Sequence, residues 1–312
     1  MSGFEPIENL EGLVRAALAG VDRPPRVAIA RSAEGHVLRA GVQAFERGMA
    51  EPVLIGDQEG TARVAAGCGL DISRFRAVEM PDDQGAVAEA VRLFREGEVR
   101  FIMKGMVSTA TLLKAVLNKE TGVPHPSRVL SLVAAFESPV DGRLMLMTDA
   151  GVNIRPTLQR KADILRNVLD VARALGMERP RVAVLAATEK INYPAMPSTL
   201  DADILTKMAR KGEFGEADIQ GPLSLDLAMS PQVAASKRCG GPVAGRADIL
   251  LTPDIESGNI LYKSLSTLCG CVMASVVVGS QAPVVVPSRG DSDASKFHSI
   301  ALASLLAQRT GA

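Results

Sequence analysis

The chain has 312 residues, which exceeds what one hydrophobic core usually supports and points to two lobes. Apolar residues make up 47% and charged ones 22%, a globular balance that excludes extended disorder. Lys and Arg number 35 against 35 Asp and Glu, so the whole molecule lacks the basic field of a nucleic-acid binder, and any phosphate recognition must be local.

At the start, "MSGFEPIENLEGL" carries acids where a secretory signal would carry basic residues and an apolar stretch, so a cytoplasmic protein is expected. The runs "RVAIA" (26–30), "PVLIG" (52–56) and "VRFIM" (99–103) are continuous and apolar, and each precedes a helix-like segment. In "AVAEAVRLFREG", Val87, Ala90, Val91, Leu93 and Phe94 recur near helical spacing, with Gly97 as the stop. This βαβ order predicts a mostly parallel sheet with helices on both faces.

Next, "RVLSLVAAF" (128–136) and "GRLMLMTD" (142–149) flank the turn-rich "ESPVDG", which predicts an antiparallel hairpin. A long helix is expected around 157–175, a strand at 181–187 and a helix after Pro197. Further strands are expected at 247–253 and in "CVMASVVVGSQAPVVV". That last tract is broken by Gly279, Gln281 and Pro283, so it reads as two buried strands and a turn, with no membrane span. The expected domains are 1–127, completed by 289–312, and 128–288.

Cys68, Cys239, Cys269 and Cys271 form no CxxC pair, and with His36, His125 and His298 as the only histidines no metal site is expected. Five strand ends carry polar groups instead. At "MKGMVSTATLLKAVL", Lys104 and Gly105 precede Ser108 and Thr109, which either cap a helix or hold an anion at its start. At "TDAGVNIRPT", Asp149 and Asn153 lie beyond a strand. Glu189, Lys190 and Asn192 occupy a long loop, and Asp254, Glu256, Ser257, Gly258 and Asn259 follow the strand "ADILLTP". Those two carboxylates suit a helix dipole better than a metal. In "PVVVPSRGDSD", Ser288, Arg289 and Gly290 combine a guanidinium fork with an approachable backbone at a helix start.

Taken in order, "MKGMVSTATLLKAVL", "DAGVNIRPTLQRKADILRN", "AATEKINYPAMPSTLDA", "GPLSLDLAMS", "GRADILLTPDIESGNILYKSL" and "SRGDSDASKFHSIALA" resemble the phosphate acetyltransferase and phosphate butyryltransferase family, most nearly its short butyryltransferase branch. The resemblance implies an α/β fold of two domains with a cleft between them, similar to the isocitrate and isopropylmalate dehydrogenases. It also implies a homodimer that moves a short acyl group, butyryl or acetyl, between coenzyme A and phosphate, with CoA as a substrate and no cofactor.

By the same resemblance, Ser288 steadies the reacting carbonyl and Arg289 binds phosphate. Lys104, Gly105, Ser108, Thr109, Lys114, Asn153 and Asn259 are the expected substrate contacts, Lys114 standing where acetyl-specific relatives have Arg. Those relatives have an Asp seven residues after the Ser, where this chain has Ser295. Asp291 is therefore the expected base for the CoA thiol, with Asp293 as the other nearby acid. Two other functions fit less of the sequence. A metal- and NAD-dependent decarboxylating dehydrogenase would need a GxGxxG and a carboxylate cluster that the chain lacks. A non-catalytic CoA or acyl-phosphate binder would follow if no base exists.

Overall fold

The computed structural model describes residues 4–19 and 23–309, so the first residues of the N-terminal segment and the last three of the expected closing domain lie outside the described residues. In chain order the elements are α1 (Leu10–Leu18), β1 (Arg26–Ala30), α2 (Gly35–Glu46), β2 (Glu51–Gly56), α3 (Gln58–Gly67), β3 (Arg76–Glu79), α4 (Asp83–Arg95), β4 (Phe101–Lys104) and α5 (Thr109–Val116). There follow β5 (Ser131–Glu137), β6 (Leu144–Thr148), α6 (Leu158–Ala174), β7 (Arg181–Leu185), α7 (Pro197–Arg210), β8 (Asp218–Leu223), α8 (Leu225–Met229), α9 (Pro231–Ser236), β9 (Ile249–Leu251) and α10 (Ile255–Lys263), which runs into a π-helical turn, Ser264–Leu268. The chain closes with β10 (Ala274–Val278), β11 (Val284–Val285) and α11 (Asp293–Arg309).

Two compact units result. The first holds Glu8–Arg128 and the chain from Val272 onward; the second holds Val129–Cys271 with the segment through Ile7. The return to the first unit therefore comes at 272, earlier than the expected 289, because β11 pairs parallel with β4 and β10 pairs antiparallel with β11.

In the first unit the strands run β3-β2-β1-β4-β11-β10, parallel except for β10. Val27, Ala28, Ile29 and Ala30 of β1 are all buried, as a central parallel strand with both faces covered requires. Helices α1 and α2 each pack on α11, α4 packs on α5, and both groups lie against the sheet. α11 is buried nearly all round; Ile300, Leu302, Leu305 and Leu306 each contribute about 1.5 to 3 kcal/mol of apolar burial. Its buried hydroxyls are satisfied: Ser304 donates to the Met49 carbonyl at 3.0 Å, and Ser299 accepts the Ser275 N–H at 2.8 Å.

The second unit orders its strands β5-β6-β9-β7-β8, parallel except for β5. Its β5–β6 hairpin matches the expected one: Ser138 N–H donates to the Arg143 carbonyl at 2.9 Å, and Gly142 closes the turn at φ +75°. Helix starts are set by polar caps, each worth about 1 kcal/mol: Asp57, Asp82, Ser108, Thr157 and Asp254 all accept a first-turn amide. No helix among the described residues is long and apolar enough to cross a membrane.

Candidate active site

The chain leaves β1 toward β2 and β3 on one side, then returns to place β4 on the other. Open α/β sheets hold ligands beyond the carboxyl ends of strands at such a reversal. Ala30, the last residue of β1, sits opposite Lys104, the last of β4, and Val285 of β11 sits opposite Met103. Three neighbouring strands thus deliver Arg31 and Glu34, then Lys104, then Ser288 and Arg289 to one edge of the first unit.

Gly105 makes the close approach possible. A Cβ there would stand 2.1 Å from the Arg31 carbonyl oxygen, and the Gly105 and Met106 amides donate to the Ala30 and Arg31 carbonyls at 2.8 and 2.7 Å. The Gly105 N–H is thus committed to the backbone, and its role is to let β4 end against β1. Arg31 adopts φ +61°, pairs with Asp83 at 2.8 Å and donates to the Pro81 carbonyl. Ser108 caps α5 through the Thr111 N–H at 3.0 Å, leaving the first-turn amides from Thr109 at the helix start. Lys114 lies in the last turn of α5, at the opposite end from Lys104. It lines a groove of about 470 Å³ with Gln84, Val87, Thr111 and Asn118.

The half-buried Lys104 Nζ donates to the Gly105 and Val107 carbonyls at 3.1 and 3.2 Å. Burial lowers its pKa most; the charge of Glu34 opposes this, and those of Arg289 and Lys296 add to it. Arg289 is exposed and forms no hydrogen bond or ion pair with any described residue.

The stretch from Ser288 to Asp291 is a closed turn. Asp291 N–H donates to the Ser288 carbonyl at 3.1 Å, and the Asp291 carboxylate accepts the Ser288 N–H at 2.8 Å. Beneath it the Lys296 ammonium, 1% exposed, donates to the Asp291 carbonyl. Burying an ammonium against a single main-chain oxygen is costly, so Lys296 holds the turn at the expense of its own hydration.

The other acids near the turn are engaged as well. Asp293 meets His36 Nδ1 at 2.7 Å and Arg39 Nε at 3.2 Å on α2. Burial pushes its pKa up, but the His36 hydrogen bond and the charges of His36 and Arg39 outweigh this and leave it lowered. Ser295 is 3% exposed, and its hydroxyl accepts the Met273 N–H at 3.0 Å. It joins α11 to the strand entering β10.

In the second unit, Asp149 organises the loop after β6. One carboxylate oxygen accepts the amides of Leu132, Gly151 and Val152; the other accepts the Asn153 amide at 2.9 Å and its side-chain Nδ2 at 2.6 Å. Asn153 Nδ2 also donates to the Leu130 carbonyl at 2.7 Å, so this buried side chain is spent on the loop. Asn259 is exposed and donates to the Ala150 carbonyl at 3.2 Å. The neighbouring Gly258 has no room for a Cβ, which would stand 2.3 Å from the Asp149 carbonyl oxygen. Asp254 caps α10 through Ser257 N–H at 2.9 Å, the dipole role its position suggests. Glu189 accepts the Ser224 hydroxyl at 2.8 Å and lies 3.6 Å from Lys237.

Among the described residues no three His, Cys, Asp or Glu side chains gather as metal ligands. Lys296 and Glu34 escape a reading by motif. A lysine on the inward side of an apolar helix is the one sequence sign of the former, and nothing local marks the latter.

The family model "Phosphate acetyl/butaryl transferase" matches residues 82–304. A phosphate butyryltransferase of Clostridium acetobutylicum is 43% identical over 90% of this chain and 93% of its own. A phosphate acetyltransferase of Thermotoga maritima is 37% identical over 96% and 99%. The solved structure of a branched-chain phosphotransacylase from Enterococcus faecalis V583 superposes with a TM-score of 0.80 at 36% identity, over 91% of this chain and 99% of that one. With the family model spanning most of the chain and the relatives covered almost from end to end, this protein belongs to the phosphate acetyl/butyryl transferase family of acyltransferases.

Proposed function

We propose that this protein reversibly transfers a short acyl group between coenzyme A and inorganic phosphate: acyl-CoA and phosphate give acyl phosphate and CoA. Family membership supports the reaction, and the free guanidinium of Arg289 beside Lys104 at the sheet's reversal point carries the site. An exposed Arg without an internal acid presents its whole fork to a phosphate.

In the direction of acyl-CoA formation, the CoA thiolate attacks the carbonyl of the acyl phosphate. The S–C bond forms, a tetrahedral oxyanion follows, and its collapse breaks the C–O bond to phosphate. Arg289 holds the phosphate through transfer. The Ser288 hydroxyl donates to the oxyanion, the first amides of α5 after Ser108 and Thr109 extend the positive edge, and Lys104 lines that edge, adding a charge to it only when protonated. Gly105 sets the spacing of that edge. Lys114 would reach a substrate only along the α4–α5 groove, and Asn153 and Asn259 act by shaping the loop after β6 and the start of α10.

CoA enters as a substrate, and the chemistry requires no resident cofactor. The same reading makes the protein a cytoplasmic homodimer of the plan found in isocitrate and isopropylmalate dehydrogenases, with family membership as its support. Thiol release from acetyl-, propionyl- and butyryl-CoA in the presence of phosphate tests the function. Phosphate-dependent release from at least one is expected, and none from any of the three overturns the reading.

A further inference from the structure

The reaction needs a group to take the proton of the CoA thiol, which with a pKa of about 8.5 is only a few per cent ionised at neutral pH. The acids beside Arg289 are poorly placed to do so. The Asp291 carboxylate accepts the Ser288 N–H and the Asp293 carboxylate is paired with His36 and Arg39. Ser295, in the position where an acid is expected, is buried against the Met273 N–H.

The amine at the end of β4 has a different geometry. Lys104 Nζ uses two donors, to the Gly105 and Val107 carbonyls. A neutral amine has two N–H bonds and one lone pair, so those two hydrogen bonds engage both of its donors and leave the lone pair unspent. The side chain is half-buried on the strand next to the Ser288–Asp291 turn, where an amine is more easily deprotonated than in water.

We propose that Lys104 is the general base that takes the proton from the CoA thiol, the position seven residues after Ser288 being Ser295 in this chain. The proposal rests on the acyl-transfer reading. The thiol S–H bond breaks and its proton moves to Lys104 Nζ, giving thiolate and ammonium; the thiolate forms the S–C bond; phosphate departs with the C–O electron pair and takes the proton from Lys104. The net change is thiol plus acyl phosphate to thioester plus hydrogen phosphate, with the amine restored. In reverse, the ammonium protonates the departing thiolate.

Burial favours the neutral form of Lys104, Glu34 before α2 opposes this, and Arg289 in the turn and Lys296 on α11 reinforce it. Arg31, after β1, is paired with Asp83, and Asp291 is bound to the Ser288 amide.

Lys104→Arg keeps a long hydrogen-bonding side chain at the end of β4 but is permanently charged and cannot accept a proton near neutral pH. It should lower turnover by roughly 10²- to 10⁴-fold while inorganic phosphate still raises the melting temperature as in the wild type. The wild-type kcat/KM for CoA should fall on the acid side as the amine protonates. Lys296→Met, which removes a neighbouring positive charge and so raises the pKa of Lys104, should move that limb to higher pH. A Lys104→Arg enzyme within tenfold of wild type overturns the assignment, as does one that loses the phosphate-induced melting shift together with turnover. Glu34→Gln, which removes a charge that raises the pKa of Lys104, should move that limb to lower pH with turnover retained; a loss of turnover as large as that of Lys104→Arg would transfer the role to Glu34. A wild-type protein without any phosphate-dependent thiol chemistry would sink the acyl-transfer reading itself, a separate result.

Discussion

The carboxylate of Asp291 accepts the backbone N–H of Ser288 at 2.8 Å, while the Asp291 N–H donates to the Ser288 carbonyl at 3.1 Å. These reciprocal bonds hold Arg289 and Gly290 at the tip of a closed turn. An asparagine can keep the acceptor, whereas an alanine cannot. Asp291→Asn should therefore retain turnover within a few-fold, and Asp291→Ala should lose about tenfold or more as the turn loosens and Arg289 is displaced. Steady-state kinetics on both variants checks this. Equal, large losses in both would return the proton-transfer role to Asp291.

Arg289 has no partner among the described residues, so removing it leaves no buried charge behind. Arg289→Ala should melt within a degree or two of wild type yet lose roughly 10²- to 10³-fold in kcat/KM for phosphate. Arg289→Lys should recover only part, since an ammonium lacks the two-pronged fork. Parallel melting and kinetics separate a substrate contact from a structural one.

In the second unit, Asp149 accepts five N–H groups from Leu132, Gly151, Val152 and Asn153. Asp149→Asn would turn an NH2 toward at least two of those donors. The cost should be about 3 kcal/mol, seen as a fall in melting temperature on the order of 10 °C. A variant that melts with the wild type would show that the loop can reorganise around the amide.

Asp293 ties α11 to α2 through His36 and Arg39, and its pKa in the fold is lowered from 3.8. A lowered carboxylate contributes stability that is complete above the unfolded pKa and fades as pH drops through the folded one. The pair is about half exposed, so its contribution should be near 0.5 kcal/mol. Asp293→Asn should be less stable by that amount at pH 6 and converge with the wild type as pH falls through the lowered pKa, below 3.8, checked by denaturant midpoints across the acid range.

The strands visible in the sequence are those buried on both faces. β1, β2 and β4 are continuous apolar runs, and β5 and β6 flank a readable turn. β3 (Arg76–Glu79) escapes such a reading because it is an edge strand with an exposed, charged pattern; its Arg76 pairs with Glu98 in solvent. β8 at the other unit's edge, with Gly221 and Pro222 inside it, is hidden for a similar reason. The end of β9 came out shorter than 247–253 because only Ile249–Leu251 form its ladder.

The strand-end positions of Ser288, Arg289 and Lys104 in the candidate site were legible because each directly follows or ends an apolar run, and a strand end is recognisable without knowing its neighbours. The employment of Asp291 as a clamp, the burial of Ser295, and the approach of Lys296 and Glu34 to Lys104 were not. Spacing along a strand or helix reports which face of that element is covered, with periods of two and 3.6 residues. It carries no information about what lies across the interface. The register of β4 between β1 and β11, and the packing of α11 against α2 and β10, decided which charges share the edge of the sheet.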